Sequence, residues 1–305
     1  MFDLDDTLVQ AGTYVSPRVI AALQAARDAG YVLSVCSGRT YHIMQRAVLD
    51  SGAMQYCICS NGASVMSLDD GREIMADTID VADALDCHAL LAPFKPAWNA
   101  FIGGRAFFEW KGASYMLAGK TGAISRAARQ SNASAGLAPV RALRLASRGA
   151  RYVLRALANR NSHQVRSILP YLREASGGVE KIGCTIPSAT SFDEALGLLR
   201  ADGRFQVAQM RGTELEITKR GVSKGTGARW LMDHLGIDAR QAIAFGDSAN
   251  DLPLARVCGT FVAVGNADQE VKDEATEVCG PVAQDGVALW LEDMLARSQQ
   301  DGGRQ

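Results

Sequence analysis

Short apolar runs that end in a polar or glycine-containing turn recur at both ends of this chain, and they restrict its fold more than any other feature. Tyr31 to Cys36 runs into Ser37-Gly38-Arg39, Tyr56 to Cys59 into a turn with Asn61-Gly62, and Ala242 to Phe245 into Gly246-Asp247-Ser248. Phe261 to Val264 is a fourth run of this kind. Runs so short and apolar read as strands buried on both faces. Helix signals alternate with them. Ser16 before Pro17 is a start signal, Val19, Ile20, Leu23 and Ala26 give the apolar face, and Gly30 is the stop. Further helices are expected from Thr40 to about Leu49, from Ser223 to Gly236, through Val271, and from Val287 to Leu295. Strands alternating with helices imply an α/β fold with a parallel sheet covered on both faces.

The 305 residues exceed the usual size of one domain, so two domains or one domain with a large insertion are expected. The middle differs in character, with Phe94, Phe101, Phe107 and Phe108 gathered there. It is read as an inserted domain over 81–212, with the core formed by 1–80 and 213–297, and the polar tail 298–305 expected to be disordered. The net charge of −1 conceals an uneven distribution: twelve Lys or Arg and no Asp or Glu lie between Lys111 and Arg173, leaving −13 for the remainder. The middle is basic and the ends are acidic. The basic residues follow no nucleic-acid-binding module, so no nucleic acid is expected as a partner. Seven scattered cysteines show no C-x-x-C pair and read as reduced thiols. The longest uncharged run, around Ser51 to Leu68, is interrupted by Gln55, Ser60 and Asn61, and the opening residues do not read as a basic, apolar leader. A cytoplasmic location with no membrane partner is the expectation.

Chemistry-bearing residues collect at the turns. Asp3 and Asp5 share a face if Leu4 points inward, and two carboxylates so close favour a hard cation such as magnesium between or beside them. A solvated acidic terminus would explain this pair alone equally well. Gly246-Asp247-Ser248-Ala249-Asn250-Asp251 follows a buried strand, at the sheet edge where open α/β folds bind ligands. Alone it would as often be a capping turn, with Asn250 or Asp251 serving the next helix. Ser37 and Gly38 also stand at a strand's carboxyl end, where a hydroxyl and backbone amides can hold a phosphate oxygen. Lys224 opens a helix, a place unfavourable for a cation unless an anion accompanies it, though a solvated surface lysine would explain it alone more often. Gly119-Lys120-Thr121 has Ser114 where a phosphate-binding P-loop requires glycine, and is rejected as one.

The order D-x-D-x-T, strand-Ser-Gly-Arg, lysine at a helix start, then G-D-x-x-N-D resembles the four motifs of the haloacid dehalogenase-like superfamily. Ser60-Asn61-Gly62-Ala63, Glu216-Ile217-Thr218 leading to Gly221-Val222-Ser223-Lys224-Gly225, Gly265-Asn266-Ala267 and Asp285-Gly286-Val287-Ala288 narrow the resemblance to its Cof-type branch, subclass IIB. The resemblance implies a doubly wound Rossmann-like core with an inserted α+β cap. It implies a magnesium-dependent phosphatase acting on a small phosphorylated metabolite, a sugar phosphate foremost, as a monomer or homodimer. Asp3 would be the nucleophile and Asp5 the general acid and base. Ser37, Gly38 and Lys224 would bind the phosphoryl oxygens. Asp3, the backbone carbonyl of Asp5, and Asp247 would hold magnesium, with Asp251 assisting and Asn250 secondary.

A phosphomutase or a non-catalytic binding protein would share these features. Lys111, Lys120 and Arg126 are candidates to attract anionic substrate. Asp6 stands where many relatives have glycine. Only Met1 and Phe2 precede Asp3, where the family has a full apolar strand. A form beginning at Met1 is therefore expected to be poorly stable or weakly active, and one extended upstream by apolar residues to be rescued.

Overall fold

The computed structural model describes residues 1–10, 14–111, 161–210 and 213–302. The apolar runs at the two chain ends become neighbouring strands. β1 (Ser34–Cys36) pairs parallel with β2 (Tyr56–Cys59), and β3 (Ser64–Ser67) and β4 (Glu73–Ala76) extend that edge antiparallel. β11 (Ile243–Gly246), β12 (Thr260–Ala263) and β13 (Glu277–Val278) form a second parallel ladder. Phe2 joins the two ladders by parallel bridges to Val35 and Phe245. The result is an α/β fold with a mostly parallel sheet whose strands come from both ends of the chain.

A second sheet of six strands has the order β7-β6-β5-β8-β10-β9, where β5 is Ala97–Ile102, β6 Arg105–Glu109, β7 Ser162–Val165, β8 Lys181–Thr185, β9 Phe205–Gln209 and β10 Glu214–Lys219. Each sheet has its own core. One core draws on both chain ends, from Phe2, Val35 and Ile58 to Phe245, Val262 and Leu291. The other runs from Ile79 to Ile217. β10 is held by ladders to β8 and β9, so the second sheet continues to Lys219, past the residue 212 expected from sequence.

Helix α1 (Pro17–Asp28) starts where expected, with the Ser16 hydroxyl accepting from the Val19 N–H. It packs against α5 (Gly286–Gly302), and α2 (Val81–Leu91) and α3 (Ala189–Asp202) belong to the second core. α4 (Lys224–Leu235) opens with a capping box between Ser223 and Thr226 and closes at Gly236 in the left-handed region. Two expectations are corrected. The segment Thr40 to Leu49 is a 3-10 turn, Tyr41–Ile43, and a short helix, Arg46–Leu49, broken where Met44 is extended and the Ile43 carbonyl accepts from Arg39. α5 continues through Gly302, into the stretch expected to be disordered.

Residues 1 to 3 hold the central place in the first sheet. The Phe2 N–H donates to Ser34, Cys36 donates to Phe2, Asp3 donates to Phe245, and Phe245 donates to Met1. The Phe2 ring stacks on Phe245 with centroids 5.0 Å apart, and Trp290 meets Phe245 edge-on at 5.1 Å. Beside Met1 lies an apolar cavity of about 620 Å³, lined by Tyr31, Leu33, Leu231, Ile243 and Leu291 among others. Because Phe245 anchors Phe2 and hence Asp3, Phe245→Ala is expected to lower stability by about 3 to 5 kcal/mol in urea unfolding. A loss under about 1 kcal/mol would show that the ring pair does not hold the central strand.

Candidate active site

Parallel pairing on both sides of Phe2 brings the ends of three central segments to one edge, and with them Asp3, Ser37 and Asp247. Asp3, Asp247 and Asp251 are buried and each offers a carboxylate oxygen, all within 4.8 Å of one another. Lys224, only 1% exposed, donates from Nζ to Asp3 Oδ1 at 2.6 Å and to Asp251 Oδ1 at 2.7 Å. These carboxylates are the anionic partners that a lysine at the start of a helix requires. Asp251 also fixes its own loop, its Oδ2 accepting from the Asp247 and Ser248 N–H groups at 3.0 and 3.1 Å.

The electrostatics follow from burial. Loss of water pushes the Asp3 carboxyl well above its usual range; Lys224 opposes the shift, and Asp251 and Asp247 add to it. Burial acts to lower Lys224, but Asp251 and Asp3 outweigh it and the ammonium is held well above its ordinary value. Three buried carboxylate oxygens this close are the donor set of a hard divalent cation such as magnesium, so the residues fit that ion.

Asp5 is arranged differently. Its carboxylate lies outside the buried trio and is gripped at both oxygens by Arg39, at 2.6 and 2.7 Å. Leu4 is fully buried, as the shared-face reading of Asp3 and Asp5 required. Asp6 has φ 60, the conformation that suits the glycine of many relatives and that aspartate tolerates better than most residues. Ser37 is buried; its hydroxyl accepts from the Arg39 N–H at 3.2 Å, and its carbonyl accepts from the Asn61 N–H at 3.0 Å. Asn250 donates to Asn61 Oδ1 at 3.2 Å and accepts from the Ser248 hydroxyl at 2.9 Å.

Sequence reasoning passed over four neighbours. Arg39 follows Ser37-Gly38 directly, and Asn61 and Glu216 stand in quoted motifs, so each carried a signal. Lys181 carried none; it is buried on β8, donates to the Gly38 carbonyl at 2.5 Å, and pairs with Glu216. Lys120 and Arg126, and the rejected Gly119-Lys120-Thr121, lie outside the described residues. Each histidine meets an aromatic ring: His42 on Tyr41, His88 on Trp98, His163 on Phe107 and His234 on Trp230.

A family model described as haloacid dehalogenase-like hydrolase matches residues 1–291. The chain belongs to this family. Similar over nearly all of its length are an HMP-PP phosphatase of Yersinia enterocolitica, 24% identical over 97% of this chain and 94% of that one, and a pyridoxal phosphate phosphatase of Escherichia coli, 26% identical over 95% of each. A putative phosphatase of Haemophilus influenzae is 40% identical over 89 residues, which span 34% of its own length. Among solved structures, a haloacid dehalogenase-like hydrolase from B. subtilis shares the fold with a TM-score of 0.76 at 22% identity, over 95% of this chain and 97% of that one. A subclass IIB sugar phosphatase does so with a TM-score of 0.70 at 21% identity, over 96% and 97%.

The Lys224 clasp gives a stability prediction with a definite sign in pH. Lys224→Met leaves buried carboxylates without their ammonium and is expected to cost about 3 to 5 kcal/mol at neutral pH. The ammonium's contribution is present below its unfolded pKa, so it spans neutral and acidic conditions. In the variant the raised Asp3 carboxyl takes up a proton as pH falls, which relieves the repulsion. The deficit in urea unfolding should therefore shrink between neutral and mildly acidic pH, and a deficit that stays constant or grows would contradict this electrostatic account.

Proposed function

We propose that the chain is a magnesium-dependent phosphatase that removes the phosphoryl group from a small polyhydroxylated phosphomonoester through an aspartyl-phosphate on Asp3. The observation that carries this reading is the buried cluster of Asp3, Asp247 and Asp251 around the Lys224 ammonium at the edge of the parallel sheet. Such a cluster provides a carboxylate nucleophile and a cation for phosphoryl oxygens in a water-poor setting. Magnesium, when bound by Asp3, Asp247, the Asp5 carbonyl and Asp251, supplies further neutralisation of the charge on the transferring oxygens.

In the first step an Asp3 oxygen attacks phosphorus, the bond from phosphorus to the ester oxygen breaks, and Asp5 gives that oxygen a proton. In the second step water attacks phosphorus, Asp5 takes the proton, and inorganic phosphate leaves with Asp3 restored. Lys224, the Ser37 hydroxyl and the Gly38 backbone hold the phosphoryl oxygens in line. Arg39 holds both Asp5 oxygens, so Asp5 gives up at least one of these bonds to reach the leaving group.

A cleft beside the start of α4 has Lys224 in its lining but not Asp3, Asp5, Ser37 or Asp247, and we take it as the place of the leaving group rather than of the phosphoryl group. Its volume is about 660 Å³, and Asn61, Gln206, Gln209, Glu216 and Asn250 line it without an aromatic ring among the described residues. Hydroxyl-rich leaving groups find donors and acceptors there, whereas a flat ring finds no stacking partner among the described residues. Gln206 and Gln209 lie on β9 and Asn250 follows β11, so the cleft lies between the two cores. We place the core in 1–80 and the C-terminal part to 297, and assign the inserted part, extended to Lys219 by its ladder, as the cap that closes on substrate. The partner in this reading is a small metabolite. No helix among the described residues is long and apolar enough to cross a membrane.

Asp3→Asn should reduce magnesium-dependent phosphate release to below about one per cent while the protein remains folded by circular dichroism. In a panel scored by kcat/KM, pentose and hexose phosphates should exceed pyridoxal phosphate. A higher value for pyridoxal phosphate would overturn the substrate class, and transfer back to the sugar without free phosphate would favour a mutase.

A further inference from the structure

We propose that Asn61 is a positioning residue that holds the phosphate-binding loop and the acidic loop in register with the cap; the idea rests on the phosphatase reading of this site. Asn61 is 4% exposed and lies in the turn after β2. Its N–H donates to the Ser37 carbonyl at 3.0 Å, its Nδ2 to Glu216 Oε2 at 2.6 Å, and its Oδ1 accepts from Asn250 Nδ2 at 3.2 Å. A carboxylate only accepts, so Glu216 determines which way the amide faces and leaves Oδ1 for Asn250. The side chain thereby links the loop that carries Asp247 and Asp251 to strand β10, while the backbone N–H of the same residue holds the loop that carries Ser37.

The backbone is committed to the same end. Ser60, Asn61 and Gly62 have φ of 50, 59 and 97, three successive residues in the left-handed region, and asparagine is among the residues that tolerate it best. A Cβ on Gly62 would overlap the Ser223 carbonyl, so this turn lies directly against the start of the helix that carries Lys224. Glu216 is shared with Lys181, which also bonds the Gly38 carbonyl. The phosphate-binding loop is thus held at two successive carbonyls by one connected network. Backbone conformation confined to such sparsely populated regions is characteristic of sites where geometry must be over-determined.

The test uses four proteins besides wild type: Asn61→Gly, Asn61→Asp, Glu216→Gln and Asn61→Asp/Glu216→Gln. Glycine keeps the left-handed turn and removes the side chain, so Asn61→Gly should lose roughly tenfold to a hundredfold in kcat with a nearly native melting temperature. Asn61→Asp sets two carboxylates together and should lose at least as much. Adding Glu216→Gln restores a donor to the new carboxylate and keeps an oxygen for Lys181, so the double variant should regain most of the loss, whereas Glu216→Gln alone should not match it. Affinity for inorganic phosphate, measured by calorimetry with magnesium present, should follow the same order without reference to turnover. The proposal fails if the double variant is no better than Asn61→Asp, or if Asn61→Gly keeps wild-type kcat and phosphate affinity. If wild type hydrolyses no ester but phosphate affinity follows the stated order, the phosphatase reading fails and the positioning role stands. Absence of both hydrolysis and phosphate binding in wild type overturns both.

Discussion

The buried ammonium of Lys224 is the interaction on which the rest of this architecture turns. It joins Asp3, 221 positions away, to Asp251, 27 positions away, so the two ends of the chain meet at one charge. Desolvating such groups is costly, and the cost is offset only when the geometry leaves each charge well paired. The surroundings supply that geometry. Asp251 is pinned by two backbone N–H groups, Asp3 is set by parallel pairing on both sides of Phe2, and Lys224 is set by the capping box at the start of its helix.

The sheet explains why these groups coincide. Parallel strands deliver their carboxyl ends to a common edge, and the turns that follow carry Ser37, Asn61 and Asp247 to it. The edge is a place of convergence rather than a surface. The second sheet meets it through Glu216 and Lys181, which bond groups of the first, so the cleft is walled by both cores.

Much of this was legible in the sequence because it depends on local chemistry. Apolar runs marked the strands, Ser16-Pro17 marked a helix start, and a lysine at an unfavourable helix position, read together with the other motifs, pointed to an anionic partner. The less legible features depend on contacts between distant segments. The break at Met44 arises because Arg39 takes the Ile43 carbonyl while gripping Asp5, and periodicity gives no sign of that. Lys181 looked like any residue of a half-apolar stretch until β8 placed it over Gly38. β10 joined the second sheet because its ladder partners lie there, whereas its sequence leads without interruption into the motif containing Lys224.

The central claim is that Asp3 itself receives the phosphoryl group. Acid quenching of the enzyme during turnover of a phosphate-labelled hexose monophosphate, followed by peptide mapping, tests it most directly. The account requires label on the peptide that carries Asp3, lost under the mildly basic conditions that cleave acyl phosphates and absent from Asp3→Asn. Turnover at an undiminished rate with no label on the protein, or with label on another residue, would contradict it.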